Sequence, residues 1–184
     1  MKNSIYFLAA TLALSATPGN AAHWNVDYAR SRLGFTVNWS GEPFSARFRR
    51  WNADIDFDPR DVAHARVAVT VDLASEASDE PEFDSGLKGA QGFETSKFPQ
   101  ARFLVKSIAA KSATSYVATG TLGIRGVSRE INLPFSLVLS GDRAHMTGSA
   151  HVMRTDFGLG QGEWAGSTPV AHDVTVTVDL FATK

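Results

Sequence analysis

The stretch Gly120-Thr121-Leu122-Gly123-Ile124-Arg125-Gly126-Val127-Ser128 leads into a run with an apolar residue at every second position: Ile131, Leu133, Phe135, Leu137 and Leu139. The first part predicts a strand that enters a glycine-containing turn, and the second predicts a strand with one apolar face. The same two-residue period recurs along most of the chain. A chain of such strands must turn its apolar faces inward, so a barrel or a sandwich is the expected fold.

Residues 1–22 have the layout of a secretory signal peptide and stand apart from the expected fold. A positively charged start precedes an apolar run over residues 5–16, and small residues surround a predicted cleavage point after Ala21 or Ala22. The apolar run is shorter than the roughly 20 residues that a membrane-spanning helix needs. We therefore expect export to the periplasm, which leaves residues 23–184 as one domain with a single core.

The composition argues against several classes of function. The chain contains no cysteine, which rules out disulfides and a thiol nucleophile. Its 18 Lys and Arg residues nearly balance 19 Asp and Glu residues, and there is no basic block of the kind that binds nucleic acid. The five histidines lack metal-site spacing, and no Gly-x-Ser-x-Gly turn presents a serine. We therefore expect no metal, no cofactor, no nucleic-acid partner and no enzymatic activity.

Alternating apolar residues divide the chain after residue 22 into eight or nine strands. Besides a short strand around residues 23–27, strands are expected over residues 33–39, 44–57, 67–73, 101–108, 116–124, 130–139, 144–154 and 173–182. In the second of these, the apolar positions change from even to odd numbers at Arg49-Arg50, which predicts a β-bulge of the kind that bends strands at barrel corners. Strands with such short connections predict an up-and-down antiparallel barrel of about eight strands.

One excursion interrupts the strands between residues 74 and 95. It begins with a polar, acidic segment and continues over residues 83–92, where a short helix is predicted to turn Phe83 and Leu87 inward. The acidic residues do not have the spacing of a calcium loop, so we expect a solvated loop beside the mouth of the barrel.

A barrel of about eight strands holds either packed side chains or one small ligand. Large and small residues both fall on the inward rows, a mixture that permits an elongated apolar cavity and equally permits a filled core. Near the end of the chain, Arg154 and Asp156 share a face if their segment is a strand. They are expected to pair with each other or with a polar ligand head at the rim.

Four segments of the chain follow one another in the order found in a known family. They are Trp24-Asn25-Val26-Asp27 with Ser31-Arg32-Leu33-Gly34-Phe35, Phe44 to Phe48 leading to Ile55 to Pro59, Gly120 to Val127, and Arg154 to Gly158 with the closing strand Val174 to Ala182. Together they resemble the YceI-like, polyisoprenoid-binding family of bacterial exported proteins. The resemblance implies a lipocalin-like extended antiparallel barrel with a helical excursion. It also implies an isoprenoid, quinone-like or other amphiphilic ligand, a homodimer, and a membrane partner of the cytochrome b561 type.

The excursion departs from the family's pattern. Family members usually carry a Ser-x-x-Thr segment there, followed by an Arg-Asp pair ahead of a Leu and a double Phe. This chain has Ser75-Glu76-Ala77-Ser78 and a single Phe93 instead. The helix and the mouth are therefore where the choice of ligand is expected to differ.

The expected function is that of a lipid carrier or storage protein. The residues predicted to contact the apolar tail are Phe35, Val37, Trp39, Phe48, Trp51, Val69, Phe103, Leu122, Phe135 and Leu137. Arg154 or Asp156 is predicted to meet the head group. Two alternatives stay open: a protein-interaction module with a filled barrel, and an enzyme with a polar pair inside the cavity.

Overall fold

The computed structural model describes residues 21–184, in which the strands form one curled antiparallel sheet. The strands are β1 (Asn25–Val26), β2 (Arg32–Trp39), β3 (Glu42–Phe48), β4 (Trp51–Asp56), β5 (Arg66–Asp72), β6 (Glu76–Ala77), β7 (Gln100–Ala110), β8 (Ser115–Ile124), β9 (Val127–Ser140), β10 (Arg143–Met153) and β11 (Val170–Thr183). Short 3-10 helices span Val62–His64, Leu73–Ser75, Arg154–Phe157 and Gly162–Trp164. Every pairing in this curled sheet is antiparallel, which confirms the predicted antiparallel barrel fold.

The α-helix α1 (Pro81–Lys88) occupies the predicted excursion. It begins earlier than predicted because proline is well suited to the first turn of a helix, where its missing N–H costs no hydrogen bond. No helix within the described part of the chain is both long and apolar enough to cross a membrane. The predicted signal peptide lies almost entirely in residues 1–20, outside the described residues.

The hydrogen-bonded order of the strands in the sheet is β4-β5-β7-β8-β9-β10-β11-β2-β3-β6. The first and last strands of the described chain are neighbours in this sheet. The last strand, β11, pairs with β10 on one side and with β2 on the other, where Arg32 lies opposite Asp179. It also pairs with β1. The sheet curls so that its alternating apolar side chains point to a shared interior.

The predicted β-bulge at Arg49-Arg50 is wrong, because the chain breaks the strand there. β3 pairs with β2 and β6, whereas β4 pairs with β5 at the other end of the sheet. Ser75 holds the break in place: its carbonyl accepts from the Arg49 N–H at 3.1 Å, and its Oγ accepts from the Arg50 N–H at 3.0 Å. The change of phase in the sequence therefore marks the point where the chain leaves one end of the sheet and joins the other.

The glycine-containing turn predicted from the opening stretch is confirmed as the two-residue connection Arg125-Gly126 between β8 and β9. Both residues have positive φ, of 50° and 74°, as a two-residue hairpin of this hand requires. The Arg125 guanidinium donates to the carbonyls of Ala90 and Gly92 and, at 3.1 Å, to the carboxylate of Glu94. The hairpin thus anchors the segment that follows α1.

Candidate functional site

A cavity of about 300 Å³ lies inside the curled sheet. All nine long strands contribute side chains to its wall, and α1 contributes Phe83 and Leu87, as predicted. Among the described residues in the wall, the charged ones are Arg102 and Arg154. The volume lies at the lower end of the range for ligand pockets. Such a cavity can enclose an apolar chain but offers little to bind a polar group.

Nine of the ten hydrophobic residues predicted to contact a ligand lie in this wall: Phe35, Val37, Phe48, Trp51, Val69, Phe103, Leu122, Phe135 and Leu137. The predicted position of Trp39 in this wall is wrong, because Trp39 lies outside it. It is the last residue of β2, and its ring packs edge-on against Phe83, with ring centres 4.5 Å apart. Whether the nine residues touch a ligand remains a prediction.

Several wall residues were absent from that predicted set although the same alternation marks them. Val67 and Val71 flank Val69 on the same face of β5, and Ile131 and Leu133 precede Phe135 in β9. Extending each alternating row to the end of its strand would have found them, since successive inward residues are two positions apart.

The two ends of the cavity are built differently. At one end Trp24 is buried, and its indole N–H donates to the Phe57 carbonyl at 2.9 Å. Phe57 in turn meets the edge of Tyr116. At the other end, α1 and the following segment supply Leu87 and Phe93, which pack with residues around Leu73. The excursion thus lies at one end of the cavity, and aromatic residues lie at the other.

Arg154 is buried, with 5% of its surface exposed, and its guanidinium binds the chain's own backbone. It donates to the carbonyls of Ala171 at 2.9 Å, Leu159 at 3.0 Å, Gly166 at 2.6 Å and Val170 at 2.9 Å. Burial lowers the pKa of this guanidinium. Four of its five N–H groups therefore bind the segment between β10 and β11 and the first two residues of β11.

The predicted pairing of Arg154 with Asp156 is wrong. β10 ends at Met153, and the two residues lie in a 3-10 helix rather than a strand, so they do not share a face. Asp156 is exposed and borders a second cleft between β9 and β10. The glycine-rich segment that follows is fitted to the arginine: Gly160 has a φ of 79°, and a side chain there would collide with the Arg154 guanidinium.

Glu76 is a buried acid beneath α1 that the sequence did not single out. Its exposed fraction is 1%, and neither carboxyl oxygen accepts a hydrogen bond among residues 21–184. When protonated, Glu76 can donate to the neighbouring Asp84 carboxylate. Burial, and then the nearby charge of Asp84, raise the pKa of Glu76 to about 7. Although burial acts in the opposite direction, hydrogen bonds from the Ser78 hydroxyl and N–H lower the pKa of Asp84. Of the two carboxyl groups under the helix, Glu76 therefore holds a proton more tightly than Asp84 does.

Three side chains of the kind that ligate metals lie together on the surface of the described chain: His23, Asp54 and Asp56. The His23 Nδ1 is 3.0 Å from the nearer Asp56 oxygen and 3.7 Å from that of Asp54. All three side chains are more than a third exposed, and a hydrogen bond between His23 and Asp56 accounts for the proximity of these two. The sequence analysis missed the group because His23 comes from a different segment than the two aspartates of β4.

Known proteins resemble the chain over nearly its full length. The sequence model of the YceI-like domain matches residues 24–182. A UPF0312 protein of Shewanella denitrificans is 30% identical over 178 residues, which span 92% of this chain and 93% of that protein. The crystal structure of BcnA from Burkholderia cenocepacia matches with a TM-score of 0.83 at 28% identity, covering 86% of this chain and 100% of that one.

A more distant likeness concerns the fold alone. The structure of a polyisoprenoid binding domain from Saccharophagus degradans, implicated in plant cell wall breakdown, matches with a TM-score of 0.68 at 17% identity. The match covers 89% of this chain and 98% of that domain. The curled sheet around an interior space is therefore shared well beyond close sequence similarity.

Proposed function

The chain belongs to the YceI-like family, and from this premise we propose that it carries or stores a long-chain isoprenoid, quinone-like or other amphiphilic lipid. The observation that carries the proposal is the central cavity of about 300 Å³, walled by apolar side chains from every long strand. The Saccharophagus domain with the same fold is described as polyisoprenoid binding, which adds support for this class of ligand.

Burial of the tail supplies the affinity in this proposal. Removing one methylene from water contributes about 0.8 kcal/mol, so ten enclosed carbons contribute about 8 kcal/mol before the cost of association is subtracted. No hydrogen bond to the wall is needed. Selectivity then comes from the length and width of the tail, since an apolar wall discriminates by shape.

The cavity favours the carrier over the two alternatives. A protein-interaction module with a filled barrel would leave no space of this size. An enzyme would need reactive polar groups in the cavity, whereas Arg102 is exposed and Arg154 is bound to backbone carbonyls. Catalysis is therefore not part of the proposal.

We extend the proposal to location and partners. The predicted signal peptide over residues 1–22 supports action in the periplasm. A homodimer and a membrane partner of the cytochrome b561 type are supported by the family resemblance alone. Fractionation of cells tests the location, sedimentation of the purified protein tests the dimer, and co-purification from solubilised membranes tests the cytochrome partner.

The central test is native mass spectrometry of protein purified gently from a periplasmic extract, followed by organic extraction. We expect a discrete added mass that is released as a prenyl lipid, a quinone or another long-chain amphiphile. A bare protein that also fails to take up added prenyl lipids would overturn the carrier function and return the interaction module to first place.

A further inference from the structure

The strands β9 and β10 pair over only part of their length. Their register runs from Ser140 opposite Arg143 to Phe135 opposite Gly148, and stops there. Further along, residues 127–134 of β9 pair with β8 alone, and residues 149–153 of β10 pair with β11 alone, within the described chain. The sheet therefore splits between two neighbouring strands.

The sequence encodes the point at which the split begins. A side-chain carbon on Gly148 would lie 2.9 Å from the Pro134 carbonyl oxygen, so glycine permits the two strands to approach closely there. Pro134 has no N–H to donate to a continued ladder. The close approach of Gly148 to Pro134 and the missing N–H of Pro134 thus fall at the same place, and the two strands diverge from there.

A cleft of about 470 Å³ lies along the diverging strands. Three of its residues, Ile131, Ala150 and Val152, also line the central cavity, so the two spaces share a wall. The rest of the cleft is mixed: Arg129, Glu130, Asn132, Ser149, His151 and Asp156 are polar, whereas Pro134, Met153 and Phe157 are apolar. Strand edges without a neighbour add backbone N–H and C=O groups that are free to bind a ligand.

The two spaces have complementary chemistry for an amphiphile. The head group of a lipid enclosed entirely in the central cavity would lose its hydrogen bonds to water without replacement, which is unfavourable. The cleft offers donors and acceptors across a wall of small or branched side chains. A lipid that lies across this wall keeps its tail among apolar residues and its head among polar ones.

Charge narrows the class of head group. Glu130 in the cleft forms an ion pair with Lys106 at 2.8 Å, and His151 lies within hydrogen-bond distance of Asp173, at 3.0 Å. The remaining charges, Arg129 and Asp156, have opposite signs. The cleft is thus nearly neutral, which suits hydroxyl or carbonyl oxygens better than a phosphate.

We propose that the cleft between β9 and β10 is the head-group site for an amphiphile whose tail occupies the central cavity, and that it takes an uncharged head bearing hydroxyl or carbonyl oxygens. The inference rests on the proposed lipid-binding function. It places the polar end at the side of the barrel, rather than at the end where α1 lies.

Photo-cross-linking of the intact protein tests the placement. Two hexadecanol analogues are used, one with a diazirine beside the hydroxyl and one with a diazirine near the methyl end. Adducts are mapped by peptide mass spectrometry. We expect most adducts of the head probe within residues 129–134 and 149–157, and most adducts of the tail probe on other wall strands. Head-probe adducts concentrated on α1, on residues 89–94 or on β4 and β5 would overturn the proposal.

Competition tests the choice of head group and separates the two proposals. Hexadecanol should displace the tail probe, and hexadecyl phosphate should do so about tenfold more weakly, because the cleft has no surplus positive charge to offset a phosphate. Equal displacement would overturn the uncharged head group. If neither probe binds at all, the lipid-binding function itself fails, an outcome distinct from binding with the head elsewhere.

Discussion

Replacing Glu76 by glutamine removes a buried carboxyl that lies beneath α1 beside Asp84. The pKa of this carboxyl rises from an ordinary 4.5 to about 7 in the folded protein, first because of burial and then because of the Asp84 charge. The folded protein therefore holds the proton more tightly than the unfolded chain does. The difference in pKa corresponds to about 3 kcal/mol in the free energy of unfolding.

The sign of the pH dependence follows from this difference. Below about pH 4.5 the carboxyl is protonated in both states, and it imposes no charge penalty. As the pH rises from about 4.5 to about 7, the unfolded chain loses its proton before the folded protein does, so stability falls. Above that window the penalty is complete. Glutamine cannot ionise, so Glu76→Gln should gain about 3 kcal/mol relative to wild type between pH 4 and pH 8.

Urea unfolding of both proteins, followed by tryptophan fluorescence at pH 4 and pH 8, measures this gain. Any constant cost of burying an amide cancels when the two pH values are compared. Glu42→Gln is the matched control, because Glu42 is an exposed glutamate at the start of β3. A Glu76→Gln stability difference that does not change with pH would refute the argument that Glu76 is a buried, desolvated acid.

Three further predictions concern the cavity and its support. Leu122→Arg should abolish binding of a radiolabelled prenyl lipid, because it places an unpaired charge in the apolar wall. Thr121 faces away from the cavity, so Thr121→Arg should bind the lipid normally. Equal binding by the two folded variants would contradict the cavity assignment. Affinity for a series of n-alkanols should rise about fourfold per carbon in titration calorimetry and then level off when the tail fills the cavity; no dependence on length would exclude tail burial. Arg154→Lys should lower the free energy of unfolding, measured in urea, by about 3 kcal/mol. Lysine cannot donate to all four carbonyls, so buried acceptors are left unpaired. A loss near zero would show that those carbonyls find other partners.

The strands and the apolar wall could be predicted because both follow from a local period. Val67, Val69 and Val71 show the principle: alternation alone puts all three on one face, whichever strand lies alongside. The Arg125-Gly126 turn was equally readable, since a short glycine turn between two alternating runs specifies a hairpin.

Features that depend on residues far apart in the sequence could not be predicted in this way. The change of phase at Arg49-Arg50 was visible, but the break became evident only once Ser75 was found beside it. Arg154 looked like half of an ion pair because its four partners are backbone carbonyls, which no side-chain pattern reveals. Glu76 lies in a stretch of acidic and small polar residues, and nothing local distinguishes a buried glutamate from a solvated one.

The position of β11 has a consequence for how the protein folds. This strand pairs with β1, β2 and β10, so the wall is incomplete without residues 170–183. Its pairing with β1 sets Asn25 opposite Thr183, and contacts between residues so far apart in the sequence slow folding. A folding intermediate in which β11 is still unpaired lacks part of the cavity wall and cannot enclose a ligand. Under the proposed function, a lipid is therefore enclosed only after β11 has paired with its three neighbouring strands.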